Sequence, residues 1–354
     1  MDPSQFGNET GTSIQHYLVK MLHKILTEVD KSSVAVIVSL IDWKEAFPRQ
    51  CPKLGVEAFI NMGVRPSLIP VLINFFQGRR MQVKWHGKLS EVKDLNGSGP
   101  QGSTIGLLEY LAQSNHNADI VDQDERFKFL DDLSILEVVS LLSIGISSYN
   151  IKNHVPSDVP AGNGYIDPNH LKSQNYLDSI CTWTDKQKMK LNIKKSNIMI
   201  FNPTRNHKFS TRLKMNDNVL PIISQTKLLG TTITDDLKWN VNTKELVKKG
   251  NQRMLLLRKS SEFTNSVEDL KIIYKAYVRN LVEQSSVVWG SSLSDENKTD
   301  LERVQKNACR IILGNQYTDY ENALNKIGLE TLEERRKTPA LRFGQNCVQN
   351  KKKD

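Results

Sequence analysis

Apolar side chains recur along this chain at spacings that divide it into strands and helices. Val34 to Ile41 (VAVIVSLI) is a nearly unbroken β-branched and aliphatic run, the pattern of a strand buried on both faces. Two shorter apolar runs, Phe127 to Leu130 and Leu133 to Leu136, flank Asp131-Asp132 and predict a hairpin with acids at its tip. Tyr17, Leu18, Met21, Leu22, Ile25 and Leu26 fall at helical spacing and predict a helix over Ser13 to Val29. Proline in the first turn and an apolar face predict short helices over Pro52 to Met62 and Pro66 to Phe76. Met81 to Trp85 and Leu89 to Val92 read as a hairpin around His86-Gly87.

Other segments fill in the order. Met1 to Thr12 is polar and is expected to be loose. Asn96 to Gly102 is rich in backbone breakers and runs into a predicted helix from Ser103 to Ala112. Val138 to Tyr149 and His170 to Leu191 are predicted helices, with a polar loop between them. Asn197 to Phe201 and Lys208 to Ile233 are strand-rich. From Thr243 the pattern turns helical: Thr243–Lys259, Ser266–Val288, Asp295–Ile312 and Leu329–Cys347. The fold class expected is α+β, an antiparallel sheet with packed helices followed by a mostly helical domain, with the boundary near Trp239-Asn240.

At 354 residues the chain suits two or three domains. A net charge of +9 and a pI of about 9.2 fit a polyanionic partner without naming one. Most of that excess lies in the helical last third, where a charge-scattered helical surface is an equally good account. The four cysteines are isolated in sequence, so neither a zinc knuckle nor a disulfide framework is expected, and a reducing compartment fits. No apolar stretch reaches membrane-spanning length and no signal-peptide core is present. An intracellular protein, nuclear or cytoplasmic and not secreted, is expected.

Two acids on one tight turn repel each other unless a cation sits between them, so Asp131-Asp132 is a candidate hard-metal site. An ordinary Asp-rich turn, held by side-chain hydrogen bonds, is the competing account. A third acid, Asp42, closes the buried run Val34 to Ile41. A strand delivering one carboxylate beside a hairpin carrying two could clamp a pair of divalent cations, which stabilise the attacking and leaving oxygens of a phosphoryl displacement.

The ordered motifs Asp42-Trp43-Lys44-Glu45-Ala46-Phe47, Gly99-Pro100-Gln101-Gly102-Ser103, Phe129-Leu130-Asp131-Asp132, Leu191-Asn192-Ile193-Lys194-Lys195-Ser196 and Lys227-Leu228-Leu229-Gly230 resemble the palm of reverse transcriptases, most closely those of non-LTR (LINE-type) retrotransposons. Leu301 to Ala308 is similar to the segment that follows the palm in such elements. The resemblance implies residual fingers over 1–33, a palm over 34–239 and a basic, thumb-like helical domain over 240–354. It implies an RNA-directed DNA polymerase that extends a primer 3′ end, with RNA template, DNA primer and deoxynucleoside triphosphates as partners, no membrane, and no obligate protein partner.

Residue by residue, the resemblance implies that Asp42, Asp131 and Asp132, with the backbone carbonyl of Trp43, hold two Mg²⁺ ions, Mn²⁺ being an alternative. It implies that Phe47 packs under the incoming sugar and favours deoxynucleotides, that Gln101 and Gly102 lie at the nucleotide, that Lys195 stands near the departing pyrophosphate, and that Leu229 and Gly230 grip the primer. Phe47 as a core aromatic, a plain turn at Gly99 and Gly102, and Lys194 in place of Lys195 remain open. Pro48 departs from the family pattern, and Asp42 lies so near Met1 that upstream fingers and an endonuclease domain are expected to be missing. A catalytically inactive remnant that binds RNA or RNA–DNA hybrid is therefore the alternative function, with a two-metal nuclease last.

Overall fold

The computed structural model describes residues 1–31, 33–95, 97, 99–100, 102–141, 164–202 and 209–349. The chain forms two compact units, Met1–Ile223 and Ser224–Asp354.

The first unit begins with α1 (Ile14–Val29), β1 (Val34–Ile41), α2 (Pro52–Asn61) and α3 (Ile69–Phe76). Four two-residue strands follow: β2 (Arg80–Met81), β3 (Lys84–Trp85), β4 (Lys88–Leu89) and β5 (Lys93–Asp94). Next come α4 (Thr104–Ser114), β6 (Arg126–Phe129), β7 (Asp132–Ser140), β8 (Gly164–Tyr165), α5 (Lys172–Lys186) and β9 (Asn197–Phe201). Short strands β10 (Phe209–Ser210), β11 (Lys214–Met215) and β12 (Asn218–Val219) complete it.

The sheet has the order β6-β7-β1-β9, with every pairing antiparallel. β1 lies inside it, and all its residues but Val34 are buried. That burial is why the run could be apolar on both faces. Ile37 and Ile41 share one core cluster with Tyr176, Leu177 and Ile180 of α5. α1 packs through Tyr17, which is fully buried, sets its ring edge-on to Phe127 and Phe129, and bonds Ser134 through its hydroxyl at 2.6 Å. Glu137 on β7 is buried and accepts from the backbone N–H groups of Lys172 and Ser173, both at 2.8 Å, which satisfies donors at the start of α5.

Three sequence expectations change here. Met1 to Thr12 is not loose: Asp2, Ser4 and Gln5 are buried, and the segment runs along β6, with Lys128 N–H donating to Ser4 O and Phe6 N–H to Lys128 O. Its polarity is matched by polar partners, because Asp2 pairs with Lys128 and Arg126. Val138 to Ser140 continue β7 rather than starting a helix, and residues 142–149 of that expectation lie outside the described residues. The helix expected to reach Leu191 ends at Lys186, and Lys188 has a left-handed backbone.

The second unit opens with the hairpin β13 (Gln225–Leu228) and β14 (Thr231–Thr234), then α6 (Asn240–Ser261) and α7 (Val267–Ile273). A π-helical turn over Tyr274–Arg279 leads to α8 (Asn280–Val282), and α9 (Ser286–Trp289), α10 (Asp295–Leu313), α11 (Tyr320–Ile327) and α12 (Leu332–Gln349) follow. The single helix expected over Ser266–Val288 is thus interrupted, with a left-handed backbone at Ser285. The division between units falls before the hairpin, not at Trp239-Asn240. The hairpin joins the helices because Thr232 N–H donates to Asn242 Oδ1 at 3.1 Å and Lys227 pairs with Glu245 at 3.7 Å, both partners lying on α6. Fold class is as expected: an antiparallel sheet with packed helices, then a helical unit.

Candidate catalytic centre

Asp42 follows β1 directly and its backbone is fastened on both sides. Its N–H donates to Ser196 Oγ at 3.1 Å, and its carbonyl accepts from Asn192 N–H at 2.8 Å. The ladder continues past it through a bridge between Trp43 and Leu191, and Lys44 N–H donates to Lys190 O at 2.7 Å. The stretch Lys190 to Ser196 therefore serves as a rail for the residue that ends the central strand.

The twin acids reach the same end of the sheet. Phe129 pairs with Asp132, so Leu130 and Asp131 form the turn, and Leu130 takes the left-handed φ of 56° that a two-residue turn demands. Ile41 pairs with Leu133, so Asp42 and Asp132 are the next residues outward on neighbouring strands. Gln5 holds the turn from behind: its Oε1 accepts from Leu130 N–H at 3.0 Å and from Gly7 N–H at 2.8 Å.

Electrostatics record the crowding. Burial pushes Asp132 up to about 6, with the charges of Asp131 and Asp42 adding to the shift. Asp131 is also raised, by its protein surroundings first and by Asp42 second, although solvent reaches its side chain. Like charges that interact in this way each hold their protons more tightly, and a cation among them would relieve the repulsion. Three carboxylates are hard oxygen donors of the kind Mg²⁺ takes, and the donor chemistry fits that ion. Among the described residues, however, no three acidic, His or Cys side chains form a ready-made metal cluster.

A cavity of about 530 Å³ is lined by Asn8, Phe47, Pro100, Gly102, Ser103 and Leu107 among others. Phe47 is half-buried and stacks on Tyr110, centroids 5.1 Å apart and planes 27° apart, so it is both a packing residue and a wall of the cavity. Gly99 N–H donates to Phe47 O at 3.0 Å, and a Cβ at Gly99 would stand 1.5 Å from Gln50 Oε1. A side chain there would require the Gln50 amide to move aside. Gly102, with φ 82°, sits in the region where L side chains are strained. Gln101 lies outside the described residues. Ser103 caps α4 by accepting from Gly106 N–H at 3.0 Å.

Trp43 has its ring in the core, edge-on to Trp183 at 5.6 Å. Lys195 and Lys194 are both exposed, just before β9, whose Asn197 pairs with Leu40 near the acid-bearing end. Leu229 and Gly230 form the two-residue turn between β13 and β14, with φ of 48° and 86°. They belong to the second unit.

Sequence reasoning missed Gln5, Tyr110 and Ser196 as parts of this centre. Tyr110 is fully buried, its hydroxyl has no hydrogen-bond partner among the described residues, and its pKa is raised by burial first and then by Asp131 and Asp132. Nothing in its local sequence flags it. Ser196 closes a motif already singled out, so its signal was present.

No protein-family model matches this chain. It is 21% identical over 319 residues to the probable RNA-directed DNA polymerase from transposon X-element of Drosophila melanogaster, an alignment covering 88% of this chain and 32% of that protein. The chain thus spans about a third of the length of the curated relative it matches. Among solved structures it is similar to apo telomerase from Candida tropicalis (TM-score 0.44, 12% identity, 92% of this chain and 50% of that one). Telomerase from Candida albicans with a fragment of telomeric RNA gives a TM-score of 0.41 at 10% identity, covering 92% and 52%. Both superpositions are loose.

Proposed function

We propose that this chain carries the polymerase centre of a non-LTR retrotransposon reverse transcriptase, adding deoxynucleotides to a primer 3′ end on an RNA template. The observation that carries the reading is the register that brings Asp42, from the central strand, and Asp131 and Asp132, from the neighbouring hairpin, to the same end of a single antiparallel sheet, where the charges of Asp42 and Asp131 add to the raised pKa of Asp132. Similarity to a transposon RNA-directed DNA polymerase over most of the chain supports the class.

Asp42, Asp131 and Asp132 would hold two Mg²⁺ ions. When bound, such ions lower the pKa of an attacking hydroxyl and neutralise charge on a departing pyrophosphate. The chain's own residues supply position. Ser196 and Asn192 fix the backbone of Asp42, and Gln5 fixes the turn of Asp131, so the carboxylates are set before substrate arrives. Phe47 forms a rigid wall of the cavity because Tyr110 backs its ring. A sugar seated against that wall would have its 2′ position facing an aromatic edge, which disfavours a hydroxyl there. Lys195, exposed and adjacent in sequence to the Ser196 that bonds Asp42, would meet phosphate charge.

Primer extension on an RNA template with Mg²⁺, wild type against Asp131→Ala/Asp132→Ala, tests the reading. Extension by the wild type and none by the double variant supports it. No extension by either, with salt-sensitive RNA–DNA binding retained, would support a non-enzymatic remnant instead.

A further inference from the structure

We propose that the β-ribbon of residues 79–95 is a platform for single-stranded nucleic acid, with a base stacked on Trp85 and neighbouring phosphates on Lys88 and Lys93. The inference rests on the polymerase reading only for its context, since that chemistry needs an unpaired template strand.

The ribbon is closed by its own backbone hydrogen bonds yet buries almost nothing. β2 pairs with β5 and β3 with β4, antiparallel, and Leu95 N–H donates to Arg79 O while Ser90 N–H donates to Val83 O. His86 and Gly87 close it with φ of 46° and 78°, the two positive values a tight hairpin turn matched to strand twist requires. Every residue from Arg80 to Asp94 is exposed, and Trp85 is 74% exposed. By contrast Trp43, Trp239 and Trp289 are buried. Trp85 adds nothing to the core; within the ribbon its ring meets His86 edge-on, centroids 4.8 Å apart, and most of its surface stays open.

Register shows what the surface offers. Trp85 is directly across from Lys88, and Met81 across from Lys93, and cross-strand partners share a face. Apolar positions therefore alternate across the ribbon with ammonium groups. Lys84 faces Leu89 in the same manner. Over residues 79–95 there are five Lys or Arg and two acids, Glu91 and Asp94, the latter paired with Arg80. A protein partner recognised by such a surface would need many acids and an aromatic pocket at once. Single-stranded nucleic acid supplies both partners in its repeating unit: a flat base for the indole and a phosphate for the lysine. A duplex hides its base faces and leaves Trp85 without a partner.

Fluorescence anisotropy of the full chain with a short labelled oligouridylate tests this. Trp85→Ala is expected to weaken binding about tenfold, and Trp85→Phe to keep most of it. Lys88→Gln/Lys93→Gln should lower the slope of log affinity against log salt by about one to two. Intrinsic tryptophan emission should quench on binding in the wild type and not in Trp85→Ala, whose melting temperature should be unchanged because the ring is exposed. Unchanged affinity in Trp85→Ala, or an equal loss on a blunt duplex, overturns the proposal. Binding needs no turnover: if the wild type fails to extend primers yet binds through Trp85, the polymerase reading falls and this one stands.

Discussion

The side-chain oxygen of Gln5 accepts the backbone N–H of Leu130 at 3.0 Å, tying the first residues of the chain to the turn that carries Asp131. The same oxygen accepts from Gly7 at 2.8 Å, and Gln5 is buried. Gln5→Ala should leave two N–H groups without partners, at a cost on the order of 1–3 kcal/mol each. Urea unfolding should show the loss, and primer extension should fall in kcat more than in KM. A variant as stable as the wild type would contradict this.

Ser196→Ala tests the opposite side of the centre. The Ser196 hydroxyl accepts from Asp42 N–H and donates to Asn192 O, both at 3.1 Å. Its removal should destabilise the chain by about 1–2 kcal/mol and slow extension, while Ser196→Thr should restore part of each. Equal activity in Ser196→Ala would show that this rail does not position Asp42.

Much of this centre was legible in the letters and some was not, for identifiable reasons. The run from Val34 to Ile41 announced a doubly buried strand because both of its faces meet apolar layers, and the break at Asp131-Asp132 announced the turn. Gln5 was illegible because burial of polar residues depends on partners far away in sequence, such as Leu130, which no local pattern reports. The stretch after Leu136 misled because Val138, Val139 and Leu141 suit either period, and the antiparallel pairing of Val34 with Ser140 decided for strand. The hairpin at Leu229-Gly230 was visible, but its attachment to α6 was not.

Phe47→Ala should enlarge the cavity and remove the stack on Tyr110. A loss of about 3 kcal/mol in stability is expected, with incorporation of ribonucleotides rising relative to deoxynucleotides. Parallel extension reactions with each nucleotide class give the ratio. An unchanged ratio would leave Phe47 as a packing residue alone.

Glu109 on α4 is fully buried, neither carboxylate oxygen has a hydrogen-bond partner among the described residues, and burial pushes its pKa up to about 7 against a partial offset from Arg79. The folded state therefore holds this proton more tightly than the unfolded chain. Stability from that source is complete below pH 4.5 and is lost as pH rises through about 7. Glu109→Gln should flatten the curve and be the more stable protein at pH 8, by about 3 kcal/mol at most. Melting temperatures across that range decide it; parallel curves for both proteins would refute the assignment.

The central claim is that acids from β1 and from the β6–β7 turn share one cation site, and anomalous diffraction tests it most directly. Crystals grown with Mn²⁺, a primer–template and a deoxynucleoside triphosphate should show anomalous density in contact with both Asp42 and Asp131, and none in Asp131→Ala/Asp132→Ala. Manganese held by one of these acids without the other, or bound only elsewhere, would contradict the account.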